Sequence, residues 1–117
     1  MIISRTPFRV SFVGGGTDLP SFYSRQPGAV ISMAVDRYVY ITVNRRFDDT
    51  LRLSYSRTEI VDQLGDVKHP LFREALRMSG VHSAIEATSV ADIPSGTGLG
   101  SSSSFAVGLM HALHAFQ

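Results

Sequence analysis

The stretch "IPSGTGLGSSSSFAVGLMHALHAF", Ile93–Phe116, alternates glycine with other residues, lays down four consecutive serines and runs without a spacer into an apolar segment. Before it stands "AIEATSVA", Ala84–Ala91, whose alternation predicts a strand. After it, a helix is expected from about Ser102 to the end. The order strand, glycine-serine loop, helix decides how the loop is read. The first turn of a helix leaves backbone N–H groups without partners, and these together with the helix dipole favour an anion. Glycines let such a loop wrap closely round phosphate oxygens with its N–H groups turned inward. Serine hydroxyls add donors, and one can ligate Mg²⁺. The plain alternatives are a flexible linker, which rarely feeds a wholly apolar helix with no polar residues between, and a capped helix start with spare serines.

Three named motifs fail on residues. A P-loop needs Gly-Lys-Ser/Thr at the helix start, whereas Ser101 follows Gly100 with no lysine near. The dinucleotide pattern G-x-G-x-x-G would need glycine at 101. A nucleophile elbow G-x-S-x-G would need glycine at 104.

Outward from the loop, the rest of the chain reads as alternating strands and short helices. Ile2–Val13 predicts a bent or two-piece strand interrupted at Pro7. Gly14–Gly16 break it, and Thr17 or Asp18 is expected to cap a short helix with Pro20 in its first turn and Phe22 and Tyr23 on its buried side. "AVISMAVD" reads as a buried strand, Arg37 as a bend, and "YVYITVNRRF" as an alternating strand. "FDDT", Phe47–Thr50, predicts a hairpin turn, with Arg45, Arg46, Asp48 and Asp49 facing solvent. "LRLSY" is a further strand, and "TEIVDQL" fits either a strand or one helical turn. Pro70 starts a helix with Leu71, Phe72, Ala75, Leu76 and Met78 as its stripe, ended by Gly80. The last helix, apolar almost all round, should be buried between layers, with Gly108 marking close contact to a sheet. The fold class is α+β, a mostly antiparallel sheet covered by helices.

Composition narrows function. Net charge is +1, so no overall field draws the chain to nucleic acid or anionic lipid. Cysteine is absent, which excludes disulfides and thiolate metal sites and fits a cytoplasmic protein. No apolar stretch is long enough for a membrane span. His111 and His114 lie one turn apart, but no third ligand is in view.

Pro94-Ser-Gly-Thr-Gly-Leu-Gly-Ser-Ser-Ser resembles the P-x-x-x-G-L-G-S-S signature of the GHMP kinases. "TPFRVSFVGGGTDLPSFY", Thr6–Tyr23, independently resembles the N-terminal motif of the sugar kinases in that group. Its form, with "GAVISMAVDRYVYITV", is most similar to the D-glycero-D-manno-heptose 7-phosphate kinase branch, near the fucokinases. The resemblance implies ATP-dependent phosphorylation of a sugar or sugar phosphate hydroxyl, with Mg²⁺, on a ribosomal-protein-like N-terminal domain spanning residues 1–117. It implies that Pro94, Gly96, Thr97, Gly98, Leu99, Gly100, Ser101, Ser102 and Ser103 hold the ATP phosphates, with Ser102 on the metal. Arg9 would stand beside the transferred phosphoryl group. Gly15, Gly16, Thr17 and Asp18 would meet the sugar, Asp18 accepting from two adjacent hydroxyls. Gly15-Gly16 replace the Glu-His of galactokinases, which argues against galactose. The catalytic base, a second acidic Mg²⁺ ligand and the C-terminal domain would lie beyond Gln117, leaving this part inactive alone. The competing expectations are a non-catalytic nucleotide- or RNA-binding module, or another sugar kinase such as a fucokinase.

Overall fold

A computed structural model describes all residues, Met1–Gln117. Alternating apolar residues make the central strands, and their inward faces make the core. Strand β1 spans Ile2–Val13 and β2 spans Ile31–Arg45, with the short helix α1, Pro20–Tyr23, between them. Strands β3, Leu51–Ser54, and β4, Thr58–Val61, form a hairpin. A 3-10 turn at Leu64–Asp66 leads to α2, Pro70–Ser79; β5 is Ile85–Ala91 and α3 is Ser101–Phe116. The sheet order is β1-β2-β5-β3-β4, antiparallel except for the parallel pair β3–β5. "TEIVDQL" therefore contributes an edge strand and then a turn.

The core lies on one face of this sheet. Val39, Ile41 and Val43 of β2, Ile85 and Ala87 of β5, and Leu51 and Leu53 of β3 are buried there. Helix α3 lays Phe105, Leu109, Ala112 and Leu113 over them at helical spacing. Each large side chain so buried stabilises the fold by about 1.5–3 kcal/mol before entropy is counted. Gly108 lets α3 come close: the Ser4 hydroxyl donates to its carbonyl at 2.8 Å, and a Cβ at 108 would stand 2.7 Å from Thr6 Oγ1.

Several expectations need correction. The last helix is not sandwiched: its buried face is the one on the sheet, whereas Val107, His111 and His114 are exposed. In α2 the buried line is Phe72, Ala75, Leu76 and Ser79, while Leu71 and Met78 sit on its flanks, exposed. Strand β2 is irregular around Arg37, as expected, since the steps from Ala34 to Tyr38 outnumber those from Pro7 to Arg9 opposite them, but its first half is not buried, with Ile31 64% and Met33 55% exposed. The reason is topological. β5 ends at Ala91 opposite Val39, so Ile31–Val35 have only β1 beside them, and α3 begins too late to roof them. Helix α1 is capped at Leu19 without a side-chain bond, and Tyr23 is exposed. Phe47–Thr50 is not a hairpin turn, because β5 is inserted between β2 and β3. Arg46 there is not free in solvent: it pairs with Asp48 at 2.8 Å and with Glu86 at 3.6 Å. No helix is long and apolar enough to cross a membrane.

Candidate functional site

The end of β5 is pinned before the loop begins. The Tyr38 N–H donates to the Asp92 carboxylate at 2.8 Å, and the Asp92 N–H donates to the Tyr38 carbonyl at 2.9 Å. Beyond it, Gly96, Gly98 and Gly100 adopt φ of 86°, 74° and 69°. A left-handed residue at every second position curls a chain so that successive N–H groups face one concavity. None of the backbone N–H groups from Ser95 to Ser103 donates a hydrogen bond within the chain. Nothing lies within 4 Å of a Cβ built on Gly96 or Gly98, so the concavity is open. Gly100 is the N-cap of α3 and supplies no side chain, which leaves the first-turn N–H groups of Ser101, Ser102 and Ser103 free. Ser102 and Ser103 are exposed at this helix start. Ser104 serves the fold instead, its hydroxyl donating to the Pro7 carbonyl at 2.9 Å.

Arg9 is brought to this loop. The β1–β2 register slips between Pro7, opposite Tyr38, and Arg9, opposite Ala34. At that irregularity the Arg9 N–H donates to the Leu99 carbonyl at 3.1 Å. Its side chain lies along Gly100, Cγ and Cζ standing 3.0 and 3.3 Å from where a Cβ would be. One guanidinium nitrogen donates to the Ser11 hydroxyl at 2.7 Å. A cation and a run of unused donors thus share one edge.

The turn after β1 is a different object. Gly14 has φ of 88°, and a Cβ there would stand 1.9 Å from the Ala29 carbonyl oxygen. Thr17 bonds back through its N–H and hydroxyl to the Gly14 carbonyl, and its hydroxyl also reaches the Ala29 carbonyl at 3.0 Å. Asp18 caps nothing and is exposed with no hydrogen bond, and Gly15 and Gly16 are exposed beside it. No hydrogen bond joins Gly15–Asp18 to the loop at 94–103. Arg9 lies between the two, four strand residues or about 13 Å short of Val13.

A cavity of about 330 Å³ opens next to the loop. Pro94, Ser95, Ser101 and Ser102 form its rim, Phe8, Val39 and Phe105 its floor, and Tyr55, His69 and Leu71 a wall. The wall is braced by Glu59, which accepts from the Tyr55 hydroxyl at 2.6 Å and from the N–H groups of Lys68 at 2.7 Å and His69 at 3.1 Å. Burial pushes the Glu59 carboxyl up, but these donors outweigh it and hold the group below its ordinary value. Glu59 in turn raises Tyr55. Burial lowers the His69 imidazole against the opposing pull of Glu59. Sequence reading missed Tyr55, Glu59 and His69. Their spacing matches no motif, and only Pro70 after His69 hinted that the histidine opens a helix.

Residues 64–117 match the sequence profile of a family described as GHMP kinases N terminal domain. The chain is 29% identical, over 95% of its length, to D-glycero-alpha-D-manno-heptose 7-phosphate kinase of Campylobacter jejuni subsp. jejuni serotype O:2, and covers 36% of that protein. Among solved structures it resembles a D-glycero-D-manno-heptose 1-phosphate kinase from Bacteriodes thetaiotaomicron, with a TM-score of 0.84 at 18% identity over 99% of this chain and 42% of that one. Methanococcus jannaschii mevalonate kinase matches with a TM-score of 0.72 at 20% identity, over 98% of this chain and 40% of its own. These likenesses establish the α+β fold and the N-terminal position of the matched part. The chain spans well under half the length of each relative.

Proposed function

We propose that this chain is the ATP-binding, N-terminal part of a GHMP-type sugar-phosphate kinase. The whole enzyme moves the γ-phosphoryl group of ATP to a hydroxyl of a heptose 7-phosphate. The observation that carries this reading is the pairing of Arg9 with an open run of unused N–H groups, Ser95–Ser103, on a left-handed glycine repeat. That concavity fits phosphate oxygens, and no atom of the chain occupies the place of a Cβ at Gly96 or Gly98.

The roles follow from the chemistry. The N–H groups of Gly96–Ser103 bind the triphosphate and fix its direction. Arg9 faces the phosphate tail and holds charge that spreads onto the equatorial oxygens. No cluster of three His, Asp or Glu side chains exists to hold a metal alone. Ser102, exposed at the start of α3, is the residue here that would help hold Mg²⁺, which would neutralise phosphate charge. Asp18, exposed and unpaired, is free to accept from sugar hydroxyls, and Gly15 and Gly16 leave room beside it. Thr17 belongs to the same turn; its hydroxyl proton is held by backbone carbonyls, which leaves its oxygen able to accept. The base that takes the hydroxyl proton and an acidic metal ligand belong to the remainder of such an enzyme.

The test is ligand-dependent melting. At a hundredfold excess of Mg-ATP over Kd the protein should gain about 2.7 kcal/mol of stability. Ser102→Ala and Arg9→Ala should each lower that gain. In the complete enzyme, phosphate should pass from ATP to heptose 7-phosphate and not to galactose. Absence of any ATP-dependent shift, or no transfer to any heptose or hexose, rejects the reading.

A further inference from the structure

His69 is committed at one of its two ring nitrogens. Its Nδ1 accepts the Phe72 N–H at 3.3 Å and so caps α2. A neutral imidazole that accepts at Nδ1 carries its proton on Nε2. Nε2 makes no hydrogen bond within the chain, yet it is not sealed off, since Arg52 Nε is the one buried side-chain nitrogen or oxygen without a partner. The ring lines the cavity beside the glycine loop. Its plane is held by neighbours: ring centroids lie 4.6 Å away at Tyr55, 5.2 Å at Phe72 and 5.4 Å at Phe105. Glu59 fixes Tyr55 on one side and the His69 N–H on the other. The hydroxyls of Ser56 and Ser89 in the same cavity rotate and can donate or accept. The His69 ring cannot: it presents one fixed donor.

We propose that His69 reads the nucleobase, donating from Nε2 to an unprotonated ring nitrogen of a purine seated in the cavity. This rests on the reading of Ser95–Ser103 as the triphosphate site, because loop and cavity share Pro94, Ser95, Ser101 and Ser102. A nucleotide held by its phosphates on the loop delivers its base into this cavity, whose volume is in the range of small-molecule sites.

The experiment titrates the protein, and its His69→Ser variant, with three kinds of probe. They are ATP, the three ATP analogues in which ring N1, N3 or N7 is replaced by CH, and inorganic tripolyphosphate. Serine keeps a capping oxygen for the Phe72 N–H, so the start of α2 survives. One analogue should bind the native protein about tenfold more weakly than ATP. That gap should vanish in His69→Ser, and tripolyphosphate should bind both proteins equally. Equal binding of ATP and all three analogues to the native protein, or a gap that persists in the variant, overturns the role of His69 and leaves the phosphate reading standing. No binding of ATP or tripolyphosphate overturns both. Ring ¹⁵N shifts of the native protein give a check that needs no variant. His69 should be protonated at Nε2, with that signal moving on ATP binding; protonation at Nδ1 instead overturns the proposal.

Discussion

The two glycine-rich turns of this chain have similar composition and opposite physics. At Gly14 the missing side chain makes room for the protein itself, the Ala29 carbonyl occupying the place of a Cβ. Thr17 then closes the turn with hydrogen bonds. At Gly96 and Gly98 the missing side chain makes room for nothing in the chain, and the surrounding N–H groups stay unused. In the first turn Gly14 and Thr17 are committed to folding, and only Gly15 and Gly16 stay open. In the second, every N–H from Ser95 to Ser103 is unpaired. Composition cannot separate the two cases; what stands where a Cβ would be does.

Substitutions should split along that line. Gly14→Ala should cost the most, ~3 kcal/mol from a left-handed alanine meeting a backbone oxygen, or a Tm lower by about 12 °C. An unchanged melting curve would break the contrast at its first term. Gly108→Ala tests a third kind of glycine, one that lets a helix touch a strand. Its Cβ would press on Thr6 Oγ1, and the gain in helix propensity offsets only part of the cost. We expect ~2 kcal/mol of destabilisation by calorimetry with nucleotide affinity intact. Gly98→Ala should reverse that pattern, costing only ~1 kcal/mol of backbone strain but weakening ATP about tenfold, because a strained left-handed alanine turns the loop's N–H donors away from the phosphates. Equal affinity for native and Gly98→Ala proteins would mean that the loop grips no phosphate.

The smallest effect is in pH. Burial depresses the folded-state pKa of His69, so the unfolded chain takes up its proton first as pH falls. The contribution of a neutral His69 is complete above the ordinary histidine value of about 6.5. It is lost as pH drops from there through the folded value. Melting temperatures across that range should decline in the native protein and decline less in His69→Ser. Glu59 and Asp48, both held below ordinary carboxylate values, contribute stability that is lost at lower pH still. For Asp48 the chief cause is the Arg46 hydrogen bond.

Much of the architecture was legible because it depends on local pattern. Alternation marked β5, proline and glycine bracketed α2, and the strand–loop–helix order located the loop. The apposition of Arg9 to that loop is expected from the resemblance of two motifs, and the fold brings Arg9 and Leu99 together. What was not legible depends on partners distant in sequence. β2 reads as one buried strand and then another, yet burial changes along it because β5 reaches only as far as Val39. α3 looks apolar all round, yet one face suffices for the sheet. The cavity wall joins Tyr55, Glu59 and His69 through hydrogen bonds that no spacing rule encodes.

The strand order also sets a timetable. The pairs β1–β2 and β3–β4 each join neighbours in sequence, but the strand that unites them is β5, the last one in the chain. During synthesis both hairpins emerge with nothing between them, and their apolar sides wait in water until residues 85–91 arrive to bridge the gap. Assembly therefore concentrates in one late step, the insertion of a middle strand, and that interval is when a nascent chain of this design most needs shielding from its neighbours.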